Sequence, residues 1–138
     1  MPIRVTGNIA VYDTLNADFN GISNTGQTNF QKSYTNSWVN VSPVGSTFFI
    51  PCNVGNIFIV VPTQNSSIQF DNTPTGVFYS FSILIDSVTN GAFTFTWPAT
   101  VKWAFGEPTY ASNTYTMVNL MYDNGGTYYG SYIPKYGL

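Results

Sequence analysis

Histidine is missing from this 138-residue chain. Its absence removes the commonest general base and the commonest transition-metal ligand. Ser-His-Asp and Cys-His catalysis are excluded outright. Cysteine occurs once, at Cys52, so there is no internal disulfide and no sign of an oxidising compartment. One thiol and no imidazole cannot make a zinc site. Cys52 reads as a small buried residue rather than a reactive thiol. Glutamate also occurs once, at Glu107, and charged residues make up only 7% of the chain. An amphipathic helix needs a polar face that is usually charged, and little here could build one. Four basic residues, Arg4, Lys32, Lys102 and Lys135, lie far apart, and the net charge is −2. Nucleic acid is therefore not an expected partner, because phosphate binding needs clustered Lys and Arg. No apolar run is long enough to span a bilayer, so no membrane partner is expected. Met1 to Arg4 has no apolar core of a signal peptide after it, and synthesis in a cytoplasm without secretion is expected. The sequons at Asn40 and Asn65 then read as chance matches.

What the chain does contain is aromatic and β-forming. Phe, Trp and Tyr make up 17% of it, and Thr and Val are plentiful. Such residues suit pleated, half-buried surfaces. With little charge available, the polar surface must be Asn, Thr, Ser, Gln and Gly, which suits a protein that packs into assemblies or contacts sugars and also occurs on plain β-sandwiches. At this size one ordinary domain is expected, large enough to bury a core without a metal or a disulfide.

Residues 1–35 are polar and rich in Asn and Gly. They read as an irregular N-terminal arm or a long loop, and an arm packed on a neighbouring subunit would suit that composition. Residues 36–138 read as the β domain. Short strands are predicted at 38–41, 46–50, 57–61 and 67–70. The run 57–61 is continuously apolar, as in a strand covered on both faces. Residues 77–86 alternate, with Val77, Tyr79, Phe81, Ile83 and Ile85 on one side. Asn90-Gly91 marks a turn, and 92–97 alternates again, which predicts an antiparallel hairpin between the two runs. Further strands are expected at 101–103, 115–122 and 127–133, the last two joined through Asp123-Asn124-Gly125-Gly126, whose residues tolerate positive φ. Strands and turns at this spacing predict an all-β fold, an antiparallel β-sandwich or jelly roll. No internal repeat is visible.

Candidate chemistry is sparse. No glycine-rich loop is followed by Lys-Ser or Lys-Thr, so no phosphate cradle is read. A pair of carboxylates could in principle cleave glycans. The acids are Asp13, Asp18, Asp71, Asp86, Glu107 and Asp123. Asp71 and Asp123 lie in turn contexts, where Asp caps its own backbone. No EF-hand spacing is present. No enzyme activity, cofactor or metal is expected. The residues singled out for an interface or ligand contact are aromatic: Trp97, Trp103, Phe105, Tyr128, Tyr129 and Tyr132. Tyr and Trp bring large contact area with a polar tip, and they serve cores, interfaces and sugar platforms alike.

One stretch resembles a known family. Thr96-Trp97-Pro98-Ala99-Thr100-Val101-Lys102-Trp103, then Gly106-Glu107-Pro108-Thr109, then 118–122, then Asp123-Asn124-Gly125-Gly126-Thr127-Tyr128-Tyr129-Gly130, resembles a module of tailed-bacteriophage virion proteins found at tail-fibre ends and on capsids. The usual pattern runs Trp-Pro, Val-Lys-Trp, a Gly-x-x-Pro loop, a strand and a Gly-Gly-Thr-x-Trp-Tyr-Gly hairpin. Here Ala104-Phe105 stands where the family usually has glycine-like residues, and Tyr128 where Trp is usual. The resemblance implies a non-enzymatic, usually trimeric β domain exposed on the virion. The shortness of the chain, with no shaft-like repeats or heptads, favours a capsid decoration (cement) protein that stabilises the head, with itself and the major capsid protein as partners. The alternative is a tail-fibre tip that binds a host receptor or surface glycan.

Overall fold

The computed structural model describes residues 38–137; the arm expected at 1–35 lies outside them. Nine strands and no helix occur among the described residues: β1 (Val39–Val41), β2 (Thr47–Pro51), β3 (Ile57–Val60), β4 (Ser66–Asp71), β5 (Tyr79–Asp86), β6 (Phe95–Thr96), β7 (Val101–Trp103), β8 (Thr114–Tyr122) and β9 (Tyr128–Gly137). They form a six-stranded sheet in the order β1-β3-β5-β8-β9-β7 and a three-stranded sheet in the order β2-β4-β6.

The strand-rich fold is as expected, but the antiparallel architecture is not. From β1 to β6 the chain alternates between the two sheets, and each strand lies parallel to the strand two before it. Val39 sits beside Phe58, 19 residues on, and Ile57 sits beside Ser82, 25 residues on. The three-stranded sheet is entirely parallel, and the six-stranded sheet is mixed. Among the strand pairs of the described residues, only β5-β8 and β8-β9 are antiparallel.

The hairpin expected between 77–86 and 92–97 does not form, because β5 and β6 belong to different sheets. The link between them crosses over instead. Asn90 Nδ2 donates to the Pro62 carbonyl at 3.2 Å, and Thr94 N–H donates to Asn65 Oδ1 at 3.0 Å. These bonds lay the link beside the preceding crossing between β3 and β4. The run 57–61 also differs from expectation. Phe58 and Val60 are buried, whereas Ile57 and Ile59 on the other face are only half-buried.

The alternation in β5 is as read. Phe81, Ile83 and Ile85 point into the core, and Ser80, Ser82 and Leu84 point away. Val77 and Phe78 precede the strand and are exposed. Phe81 ties the two sheets together. Its ring lies 5.3 Å from Phe70 of β4, edge to face, and 6.1 Å from Phe58 of β3. Fully burying a side chain of this size stabilises the fold by roughly 1.5–3 kcal/mol. Phe48, Ile50, Ile68, Val118 and Leu120 extend the same cluster. The β8-β9 hairpin closes through the expected turn, where Asn124 and Gly126 take φ of 64° and 94°.

Candidate functional site

The six aromatics singled out in the sequence do not form one surface. Trp97 follows β6, and Pro98 stops that strand. The Trp97 ring is buried; its N–H donates to the Tyr110 hydroxyl at 3.1 Å, and its ring meets Trp103 edge to face at 5.1 Å. Trp103 is half-buried and lies over Gly130, where a Cβ would come within 2.6 Å of the indole. That glycine is required for space rather than for its φ. Tyr128 is buried, with its ring 4.4 Å from Phe70 and 4.7 Å from Tyr122. Tyr132 is half-buried against the same core. Two of the six face solvent. Phe105 is 93% exposed on the loop after β7, and Tyr129 is exposed on β9.

The motif that carries the resemblance thus folds into one packed unit. β7 runs parallel to the start of β9, pairing Val101 with Tyr128, Lys102 with Tyr129 and Trp103 with Gly130. Ala104 N–H then donates to the Gly130 carbonyl at 3.0 Å.

Asp86, Asp123 and Cys52 are engaged within the fold. Burial pushes the Asp86 carboxyl up, but three hydrogen bonds overcome it and leave its pKa below the ordinary 3.8. Its Oδ1 accepts Val88 N–H at 2.7 Å and Thr89 N–H at 2.9 Å, and Oδ2 accepts the Thr89 hydroxyl at 2.7 Å. Asp123 caps the hairpin turn: the Gly125 N–H, with help from Thr127 N–H and the Tyr129 hydroxyl, holds its carboxyl low. The same contact raises the Tyr129 pKa. Cys52 is buried as expected, and burial pushes its thiol up to about 11, with Thr73 and Tyr79 as partners that partly offset this. Thr73 also shares a 2.6 Å hydrogen bond with Tyr128, and Tyr79 donates to the Gly55 carbonyl. A thiol with that pKa is a poor nucleophile at neutral pH. Among the described residues no group of three Cys, Asp or Glu side chains is placed to hold a metal ion.

What sequence reading missed are two surfaces. The first is a hollow of about 400 Å³ beside β4, lined by Ser67, Gln69, Thr96 and Thr100 with Phe70, Trp97 and Pro98 as apolar walls. It arises because β6 pairs only with Ser66 and Ser67, so the rest of β4 has no strand on that side among the described residues. The second is the outer face of the six-stranded sheet. Neither could be read locally, since the hollow depends on the parallel β4-β6 pairing and the outer face on strands brought together from across the chain. Compared with models of protein families, with curated proteins and with solved structures, the chain matches none.

Proposed function

We propose that this chain is a non-enzymatic structural module of a bacteriophage particle, a capsid decoration protein that assembles with itself, as a homotrimer, and with the major capsid protein on the virion. The carrying observation is the packed unit of Trp97, Trp103, Tyr128 and Gly130. Trp97, Trp103, Tyr128 and Gly130, all within the stretch that resembles the virion module, converge there into one support for a surface loop. Asp86, Asp123 and Cys52 are likewise engaged within the fold. In this reading the two sheets are the layers of a sandwich whose first half is wound in parallel. The purified protein is expected to bind emptied or mature capsids and to raise the temperature at which they lose their contents. Capsids that take up none of it would reject the reading.

The hollow beside β4 favours a second reading, a tail-tip domain that binds a neutral host glycan. Its lining combines hydroxyl and amide groups with apolar walls and carries no charge, and its size is that of a small-ligand site. Labelled protein would then adsorb to host cells and lose adsorption on Gln69→Ala or Thr96→Val. Adsorption that is absent at high concentration removes this reading.

A further inference from the structure

The register of the six-stranded sheet sets its outward side chains in rows. Asn40, Ile59, Leu84, Met117 and Ile133 stand side by side across five strands. The next row is Ile57, Ser82, Asn119 and Ser131, with the Ser82 hydroxyl donating to Asn119 Oδ1 at 2.8 Å. The third is Ser80, Met121, Tyr129 and Lys102. Lys102 is the one charge in the three rows. Asp86, which continues the outward side of β5, turns its carboxylate back into its own turn.

We propose that this face is where copies of the chain meet, with Ile59, Leu84, Met117 and Ile133 at the centre of the contact. The inference deepens the assembly role proposed above and rests on it. Of the large apolar side chains exposed among the described residues, Trp38, Val44, Val54, Val77, Phe78 and Phe105 lie outside the strands, and the four that stand on strands, Met121, Tyr129, Ile133 and Tyr136, all belong to the β8-β9 hairpin. Contiguous exposed apolar area of this kind marks an interaction surface. Charge selects the partner. Three rows that carry one cation, Lys102, and no carboxylate offer little to a strongly charged protein or to nucleic acid. They match a surface as neutral as themselves, and a chain with 7% charged residues supplies one in its own copy. A dent of about 370 Å³ between Ile57, Ser80, Ser82, Asn119 and Met121 leaves room for a partner side chain.

The test is the mass of the full-length chain in solution, measured by sedimentation across a concentration series. The wild type is expected to be an oligomer. Leu84→Lys with Met117→Lys is expected to be monomeric with an unchanged circular-dichroism spectrum. Should that pair of lysines prevent folding, Ser131→Arg, at an exposed position in the second row, is expected to weaken self-association about tenfold or more. Val44→Lys, at an exposed position off this sheet, is expected to leave the mass unchanged. A monomeric wild type overturns the inference, as does a folded Leu84→Lys/Met117→Lys or Ser131→Arg protein that keeps the wild-type mass; the latter result is what a face covered by the chain's own remaining residues would give. Capsid binding is read separately. A monomer that binds capsids sinks this inference alone, and an oligomer broken by Ser131→Arg that never binds capsids sinks only the capsid reading.

Discussion

The stretch from β1 to β6 and the β8-β9 hairpin build their sheets by opposite means. In the first, every strand pairs with one that lies 19 to 29 residues away, from Val39 beside Phe58 to Ser66 beside Phe95, and the chain changes sheet after each strand. In the second, Tyr122 meets Tyr128 across a turn made by the residues between them. A hairpin carries its own instructions in its turn, while parallel pairing gets its specification from the core that it encloses. Each half is therefore vulnerable in a different place: the coiled half in its buried side chains, the hairpin half in its backbone.

The sharpest way to break that contrast is to empty the core of the coiled half. Phe58 is fully buried and packs on Phe81, which in turn lies 6.2 Å from Tyr128 of the hairpin. Phe58→Ala is expected to cost about 3–5 kcal/mol, and to do so in one cooperative transition that carries the hairpin with it. Urea denaturation followed by both far-ultraviolet circular dichroism and tryptophan fluorescence checks this. Two separated transitions would mean that the halves are independent and that Phe81 does not join them.

The next effect belongs to the hairpin half. A methyl group on Gly130 would press on the Trp103 indole, so Gly130→Ala is expected to cost about 1–3 kcal/mol. Gly126 meets nothing within 4 Å and is held only by its φ of 94°, so Gly126→Ala is expected to cost less, about 1 kcal/mol. If the first loss is steric, it should shrink in a Trp103→Leu background, whereas the Gly126 loss should not. Equal losses in both backgrounds would show that Trp103 moves aside freely and that the packed unit is looser than its geometry implies.

The same contrast explains what could be read from the chain. The turn at Asp123 to Gly126 and the inward face of β5 were legible because both signals are local: residues that tolerate positive φ, and a period of two. The partners of β1 to β6 were not. The coils differ in length, so no repeat shows in the sequence, and a parallel neighbour leaves no mark near the strand that it joins. Asn90-Gly91 has the chemistry of a hairpin turn. The side chains of Asn65 and Asn90 and the Pro62 carbonyl instead guide the link to the other sheet. The aromatic residues were identifiable as contact makers, but which of them faces the core depends on registers that only the assembled sheets define. Phe105 and Tyr129 reach solvent, while Trp97 and Tyr128 close the interior.

The smallest expected effect tests the turn at the end of β5, where the coiled half leaves the six-stranded sheet. Asp86 is held as a carboxylate by Thr89 and Val88, so its pKa in the folded protein lies below that of the unfolded chain. A group depressed in this way contributes stability that is complete above the unfolded value near 3.8 and is lost as pH falls through the folded value. Asp86→Asn keeps an acceptor for the two backbone N–H groups but cannot be protonated. At neutral pH it is expected to lose about 1 kcal/mol, the net worth of a hydrogen bond to a charged acceptor made slightly weaker. On acidification below about pH 4 its stability should fall less steeply than that of the wild type, and the two curves should converge. Asp123 is depressed in both proteins, so the difference between the curves isolates Asp86. Parallel curves down to the acid limit would mean that the three hydrogen bonds to Asp86 do not persist in solution, and that the crossing from β5 to β6 is fixed by Asn65 and Asn90 alone.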